Sequence, residues 1–146
     1  IITTHEMLSA IKSKINNTNK IDYIIMAAAP SDYKSAEIKT KKIKKNDSDL
    51  SLDLIATPDI IKSINKITDS IIIAFALETH NGEKEAVRKM IEKDVDYIIL
   101  NYANEEGAGF ESNTNRVTIF TKDGNKINLD KDRKDRVARK ILDKII

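Results

Sequence analysis

The sequence predicts an α/β domain in which a mostly parallel β-sheet is flanked by helices and ends in a β-hairpin. Three apolar segments, residues 22–28, 70–75 and 96–100, carry the first part of this prediction. Fully apolar strands that alternate with helices are typical of a parallel sheet covered on both faces. Two further strand-like segments, residues 116–120 and 126–129, are separated by an Asp-Gly pair, which predicts the hairpin.

Four helices are expected between and after these strands. Thr4 is placed to cap the first helix. Thr57 and Pro58 supply an N-cap and a proline at the first helical position of the second, with Asp59 in its first turn. Amphipathic patterns predict the other two. The expected helices cover about residues 4–15, 57–66, 83–93 and 132–146.

A long polar segment, residues 29–47, follows the first apolar strand. Connections of this length are uncommon in compact domains unless they serve a function. After it, Leu50, Leu52 and Leu54 alternate with polar residues, which predicts a half-buried strand.

Composition excludes several classes of function. The 146 residues suit one domain or a large piece of one, with 40% apolar residues for a core. A net charge of +2 argues against bulk nucleic-acid binding. The chain has no cysteine and only two histidines, which excludes disulfides, iron–sulfur clusters and thiol catalysis and argues against a histidine zinc site.

Nothing in the sequence indicates a membrane or secretory segment. No apolar run approaches the roughly 18 residues of a transmembrane helix. The first residues lack the basic and apolar regions of a signal peptide. We therefore expect a cytoplasmic protein.

Polar segments follow each of the three apolar strands, at residues 28–32, 75–79 and 101–102. In parallel sheets the carboxyl ends of the strands lie at one edge, where ligands bind. Asp32 at this edge could hold Mg²⁺ bound to phosphates, or could be a turn residue after Pro30.

A lysine cluster lies in the long polar segment and could meet a triphosphate. For most of these lysines a solvated charge run is the simpler interpretation, because only one or two would need to reach a ligand. The cluster comprises Lys34, Lys39, Lys41, Lys42, Lys44 and Lys45.

Three further candidates have ordinary structural explanations as well. Phe75 could pack on a base or ribose, although a core position is the simpler interpretation from the residues alone. Lys89 and Lys93 share one helix face and could clamp phosphates, or could form an exposed polar face. The glycine-bearing segment 107–113 could close over a ligand or be a turn before the hairpin.

These motifs, in this order, resemble those of the phosphopantothenoylcysteine synthetase domain of bacterial coenzyme A biosynthesis. The resemblance covers essentially the whole chain and rests on five motifs in register. They are Ala28-Ala29-Pro30-Ser31-Asp32-Tyr33, Lys42-Ile43-Lys44-Lys45, Thr57-Pro58-Asp59-Ile60, Ala74-Phe75-Ala76-Leu77-Glu78-Thr79, and residues 109–115 followed by Arg116-Val117.

The sequence departs from the family pattern at Ala74, Tyr102 and Asn113, where members usually have Gly, Asp and Asp. The family also begins with a strand and a glycine-rich segment, and a flavin-dependent decarboxylase domain is often fused before it. We therefore expect residues 1–146 to be the later part of the synthetase domain, without that glycine-rich segment.

The resemblance implies a Rossmann-like fold and a ligase that joins 4′-phosphopantothenate to L-cysteine through an acyl-cytidylate, using CTP and Mg²⁺. It implies a homodimer, with a fused or separate flavin-dependent decarboxylase as a possible partner. Lys42 is the expected catalytic residue and Asp32 the expected metal-side ligand. The expected nucleotide-binding residues are Ala28, Ala29, Asp32, Phe75, Lys89 and Lys93.

Two questions stay open at this point. Composition does not distinguish CTP from ATP, and the bacterial character of the motifs favours CTP. The alternative function is a nucleotide-binding or dimerisation module without catalysis.

Overall fold

A computed structural model describes residues 1–45, 49–104 and 112–146. Its elements, in chain order, are α1 (Thr4–Asn17), β1 (Tyr23–Met26), β2 (Tyr33–Ser35), β3 (Leu54–Ala56), α2 (Ile60–Asn65), β4 (Ile71–Glu78), α3 (Gly82–Lys93), β5 (Tyr97–Tyr102), β6 (Thr114–Thr121), β7 (Lys126–Arg133) and α4 (Lys134–Ile145).

Five strands form the main sheet in the order β1-β4-β5-β6-β7. β4 pairs in parallel with β1 and β5, whereas β6 and β7 add antiparallel strands. The predicted α/β class, with its mostly parallel strands and terminal hairpin, is confirmed. β2 and β3 form a separate antiparallel pair.

Helices cover both faces of the sheet and enclose two apolar clusters. Ile72, Ala74 and Leu100 lie beneath α1, α2 and α3, packed with Ile64 and Met90. The alternate residues of the same strands face α4. Ile73, Ile99 and Ile119 pack there with Val137 and Ile141. This alternation gives the central strands their continuous apolar sequences.

β1 is shorter and more exposed than its apolar sequence predicts. Within residues 22–28 only Tyr23–Met26 form the strand, and only Met26 is buried. β1 pairs with β4 on one side alone, so its second edge is unpaired among the described residues. Ile25, inside the strand, is 46% exposed.

The prediction of a half-buried strand at Leu50, Leu52 and Leu54 is wrong. β3 begins only at Leu54, and all three leucines are more than half exposed. The reason is positional, because β3 pairs with β2 outside the main sheet and neither core cluster reaches it.

Two helix caps differ from the predicted ones. Thr3, not Thr4, caps α1 and forms a capping box with Glu6. Backbone N–H groups of Ile2 and Thr3 donate to the Glu6 carboxylate and lower its pKa, so this contribution to α1 is lost as the pH falls through that lowered pKa.

The cap of α2 is Asp59, whose side chain accepts a hydrogen bond from the Lys62 N–H. Thr57 was the predicted cap, but its own N–H and hydroxyl donate to the carbonyls of Asp32 and Ser31. These two bonds tie the chain before α2 to the segment that follows β1.

Predictions for the later helices are close to the observed elements. α3 and α4 form within one or two residues of the expected ranges. Ala86 and Met90 of α3 are buried as its amphipathic pattern predicts, whereas Ile91 is 73% exposed. No helix in the described parts of the chain has both the length and the apolar character needed to cross a membrane.

Candidate active site

The carboxyl ends of β1, β4 and β5 lie at one edge of the sheet, as predicted. Parallel register places Met26 beside Ala74 and Glu78 beside Tyr102. Beyond the strands, the Ala103 N–H donates to the Glu78 carbonyl at 2.9 Å. This edge is where ligands bind in open parallel sheets.

A cleft of about 530 Å³ opens beyond the end of β1. Ala28 and Ala29 form part of its wall, and the amino-terminal end of α1 forms another part. Lys34 of β2 also lines it. The structure therefore brings two of the predicted nucleotide-binding residues together with one lysine of the predicted cluster. Both alanines are exposed, which leaves their backbone accessible at this edge.

Asp32 lies between Ser31 and Tyr33, two residues that line this cleft. Its residue is exposed, and its backbone carbonyl accepts the Thr57 N–H at 2.9 Å. The described residues contain no group of three or more acidic, histidine or cysteine side chains that could hold a metal ion. A single carboxylate nevertheless suits Mg²⁺, which keeps several waters and is commonly bound by one or two carboxylates plus substrate phosphates.

The lysine cluster divides into paired and exposed members. Lys39 forms an ion pair with Glu37, close along the chain. Lys42, the predicted catalytic residue, is exposed in the loop between β2 and β3, as are Lys41, Lys44 and Lys45. The structure thus leaves Lys42 open to solvent on the connection between β2 and β3.

Phe75 lies elsewhere than its predicted position. β4 continues three residues beyond it to Glu78, so Phe75 is inside the strand rather than at its end. Its side chain packs on the α4 side of the sheet. There it lines a second, mainly apolar cleft of about 300 Å³ with Ile25, Ile141 and Leu142. The core interpretation of Phe75 therefore describes its surroundings, while its role toward a nucleotide stays a prediction.

Lys89 and Lys93 extend from one face of α3 to carboxylates at two other elements. Lys89 Nζ lies 2.5 Å from Glu78 Oε1 at the end of β4. Lys93 Nζ lies 3.1 Å from Asp59 Oδ2 at the start of α2. All four side chains are about two-thirds buried or more. The lysines are therefore positioned at the sheet edge and the α2 start by acidic partners.

Sequence reasoning identified Lys89 and Lys93 but not their partners. Glu78 ends a strand and Asp59 precedes a helix, positions where an acidic residue has ordinary explanations. The signal available in the sequence was the i, i+4 spacing of the two lysines, which places them on one face of α3.

Tyr102 and Asn113, two departures from the family pattern, make contacts here, the first through its side chain and the second through its backbone carbonyl. The ring of Tyr102 lies against Gly82 at the start of α3, so closely that a Cβ added to Gly82 would be 2.7 Å from ring atom Cε1. The carbonyl of Asn113 accepts the Lys134 N–H at 2.9 Å and joins the start of β6 to α4. Most of the predicted glycine-bearing loop, residues 107–113, lies outside the described residues.

Comparison with known proteins assigns the family. The family model described as "DNA/pantothenate metabolism flavoprotein C-terminal domain" (DFP) matches residues 1–146. The chain belongs to this family. It is 31% identical over 151 aligned residues to the coenzyme A biosynthesis bifunctional protein CoaBC of Escherichia coli (strain K12). The alignment covers 100% of this chain and 36% of that protein, so the chain spans about a third of the relative's length.

Solved structures agree with the family assignment. The crystal structure of the C-terminal domain of CoaBC matches with a TM-score of 0.76 and 30% identity, over 99% of this chain and 62% of that one. A Cab2 mutant in complex with phosphopantothenate-cysteine has the same fold, with a TM-score of 0.68 and 18% identity. That match covers 89% of this chain and 45% of the other. The expected Rossmann-like α/β fold is thereby confirmed.

The contact between Gly82 and Tyr102 predicts that Gly82→Ala changes the stability of the protein in opposite directions with and without the Tyr102 ring. With Tyr102 present, Gly82→Ala should destabilise the protein by about 1 kcal/mol, because the new methyl group overlaps the ring. With Tyr102→Ala in place, the same change should stabilise it by about 0.5 kcal/mol, because alanine is a better helix residue than glycine. Urea unfolding of the four variants measures both values. Destabilisation of equal size in both backgrounds would contradict the contact.

Proposed function

We propose that the complete protein containing this chain is a phosphopantothenate–cysteine ligase of coenzyme A biosynthesis. The family match over residues 1–146 carries the proposal, since relatives in this family are named coenzyme A biosynthesis proteins. The Cab2 structure, whose ligand is phosphopantothenate-cysteine, supports the same product class. The open cleft and lysines at the carboxyl edge are consistent with a phosphorylated ligand.

The proposed reaction has two steps. A carboxylate oxygen of 4′-phosphopantothenate attacks the α-phosphorus of CTP, and the bond to pyrophosphate breaks. The amine nitrogen of L-cysteine then attacks the acyl carbon of the acyl-cytidylate. CMP leaves, the nitrogen loses a proton, and the amide of 4′-phosphopantothenoylcysteine remains. The first attack brings a negative carboxylate up to a negative triphosphate. In the second, a neutral amine attacks, and negative charge develops on the acyl oxygen and the departing CMP. Positive charge at the site would therefore favour both steps.

Two sets of lysines would supply that charge in different ways. Lys89 and Lys93 are held by ion pairs with Glu78 and Asp59. From these positions their ammonium groups would bind the triphosphate. Lys42 is exposed on the β2–β3 connection, where a ligand can reach it. We assign Lys42 the catalytic role because Lys42-Ile43-Lys44-Lys45 resembles the family motif, and a charged donor to the α-phosphate would favour the transition state.

The remaining predicted residues complete the proposed site. Ala28 and Ala29 would let the nucleotide approach the backbone at the end of β1, where they line the 530 Å³ cleft. Asp32 would hold Mg²⁺, which neutralises phosphate charge when bound. Phe75 would contact the nucleotide from within β4, because it lies three residues before the end of that strand.

We also propose that two copies of the chain associate through the β2–β3 ribbon, the pair of strands Tyr33–Ser35 and Leu54–Ala56. All six residues are exposed, and the exposed fraction is 60% for Tyr33 and 58% for Leu54. An isolated two-stranded pair is marginally stable in water. Alternating Leu50, Leu52 and Leu54 would form one buried face if a second ribbon packed on them. The lysine loop connecting the strands would then lie beside the partner copy.

The substrates proposed here, CTP and L-cysteine, are soluble metabolites of the cytoplasm, which supports a cytoplasmic location.

A flavin-dependent decarboxylase is the expected fused or separate partner, as the bifunctional relative suggests. The alternative function, nucleotide binding without catalysis, is distinguished by whether the complete protein forms product.

The complete protein should release pyrophosphate from CTP only when 4′-phosphopantothenate and Mg²⁺ are present. Parallel assays with CTP and ATP, with each component omitted in turn, measure this directly. Nucleotide binding without pyrophosphate release under any condition would support the non-catalytic alternative. Equal rates with CTP and ATP would contradict the choice of CTP.

Lys42→Gln in the complete protein should lower kcat by about 100- to 1000-fold while the fold is retained, because one charged donor to the transition state is lost. Lys45→Gln is the matched control, since it removes the same charge from the same exposed loop and should have little effect. Steady-state kinetics with circular dichroism separate activity from folding. Equal loss of activity in the two variants would contradict the assignment of Lys42.

The double change Leu52→Lys and Leu54→Lys should shift the complete protein from dimer toward monomer, because it places charges on the proposed apolar interface. Ile91→Lys is the control, since Ile91 is 73% exposed on α3, away from the ribbon. Sedimentation velocity over a range of concentrations measures the dissociation constant. A dimer unaffected by the double change, or equally weakened by Ile91→Lys, would contradict the ribbon interface.

A further inference from the structure

The turn between β4 and α3 has an unusual pair of residues at its end, Asn81 and Gly82. Asn81 is the N-cap of α3 and has left-handed backbone angles, with φ of 51° and ψ of 31°. Its residue is exposed, and its side chain makes no capping hydrogen bond. The next amide, that of Gly82, is the first of the helix, where an N–H has no acceptor within the helix.

Two structural demands impose this pair on the chain. Left-handed angles at position 81 favour asparagine or glycine over other residues. Position 82 has no room for a Cβ, because the Tyr102 ring would lie 2.7 Å from it. The fold therefore places an exposed asparagine directly before a glycine, and glycine is the residue that least hinders attack by its own amide nitrogen on the preceding side chain.

We propose that Asn81 is a site of spontaneous deamidation in this protein, a modification that is independent of the proposed ligase function. The Gly82 backbone nitrogen, after losing its proton to base, attacks Cγ of Asn81. A new C–N bond closes a five-membered succinimide, and the side-chain nitrogen leaves as ammonia. Water then opens the ring at either carbonyl. The net change is asparagine plus water to aspartate or isoaspartate plus ammonia.

Position in the fold gives the reaction the freedom it requires. Gly82 is buried beneath the Tyr102 ring, so the attack requires the α3 start to open. Helix ends open at a lower free-energy cost than core elements, so this opening does not require global unfolding. The isoaspartate product lengthens the backbone by one methylene group. It would therefore shift Gly82 against the ring of Tyr102, and the α3 start should loosen as the product accumulates.

Asp123 in the β6–β7 turn also precedes a glycine, Gly124, and can form the same kind of succinimide. It therefore provides an internal comparison for Asn81. Its carboxylate accepts hydrogen bonds from the Thr121 hydroxyl and, at 2.7 Å, from Asn125 Nδ2. Its side chain is thereby held, whereas that of Asn81 makes no capping bond. Conversion at Asn81 should accordingly precede isomerisation at Asp123.

The test is incubation of the folded complete protein at pH 7 and pH 9, followed by peptide mapping with mass spectrometry and isoaspartate labelling by protein isoaspartyl methyltransferase. The expected result is that the peptide containing residues 81–82 converts before every other asparagine peptide, and faster at pH 9. Asn81→Gly retains the left-handed turn and should abolish conversion in that peptide while leaving the others unchanged.

Two results would overturn the proposal. One is an unmodified 81–82 peptide at a time when other asparagine peptides of the folded protein have converted. The other is conversion at residues 81–82 no faster than at Asp123-Gly124. Circular dichroism before and after incubation verifies that the protein remained folded, so that a signal from unfolded chain is not counted.

Discussion

Parallel pairing of β4 on both of its sides is the constraint on which the rest of the structure depends. Hydrogen bonding to β1 and β5 aligns the three strands, so that their carboxyl ends lie at one edge. Because both faces of β4 are covered, its residues alternate between the α1–α3 cluster and the α4 cluster. The polar segments after the strands are therefore brought together by the sheet rather than by contacts among themselves.

The lysines proposed to meet the nucleotide differ in how they are held. Lys89 and Lys93 are paired with carboxylates and about two-thirds buried or more, whereas Lys42 is exposed on the β2–β3 connection. Partly exposed ion pairs contribute about 0–1 kcal/mol to stability, so Glu78 and Asp59 position these lysines more than they stabilise the fold. A bound phosphate could share them at modest cost. The proposed site thus combines two ion-paired lysines with one exposed lysine on the β2–β3 connection.

Elements with a strong local pattern were predictable from the sequence. The central strands and α3 follow apolar periodicity, and β6 and β7 follow the turn between them, so each formed close to its expected range. The family resemblance likewise anticipated the fold that the comparisons show. For the candidate site, sequence order placed Ala28 and Ala29 near the carboxyl end of β1, where they line the cleft, although the strand ends at Met26, earlier than expected.

Features that depend on distant partners could not be predicted in this way. Leu50 and Leu52 have the alternation of a half-buried strand, yet neither core cluster of the described residues reaches them and both are more than half exposed. Thr57 is a good cap by type, but its hydrogen bonds go to the segment after β1. Phe75 was expected at a strand end because the apolar run stops there, whereas pairing with β5 extends β4 to Glu78.

Hydrogen exchange of the complete protein, measured by mass spectrometry with and without CTP and Mg²⁺, tests the central claim most directly. If the carboxyl edge binds the nucleotide, amide exchange should slow in peptides covering residues 28–42 and 78–93. Peptides from the opposite edge, such as residues 18–22 and 121–126, should be unchanged. Slower amide exchange confined to that opposite edge, or to the second cleft lined by Ile25, Ile141 and Leu142, would contradict the account.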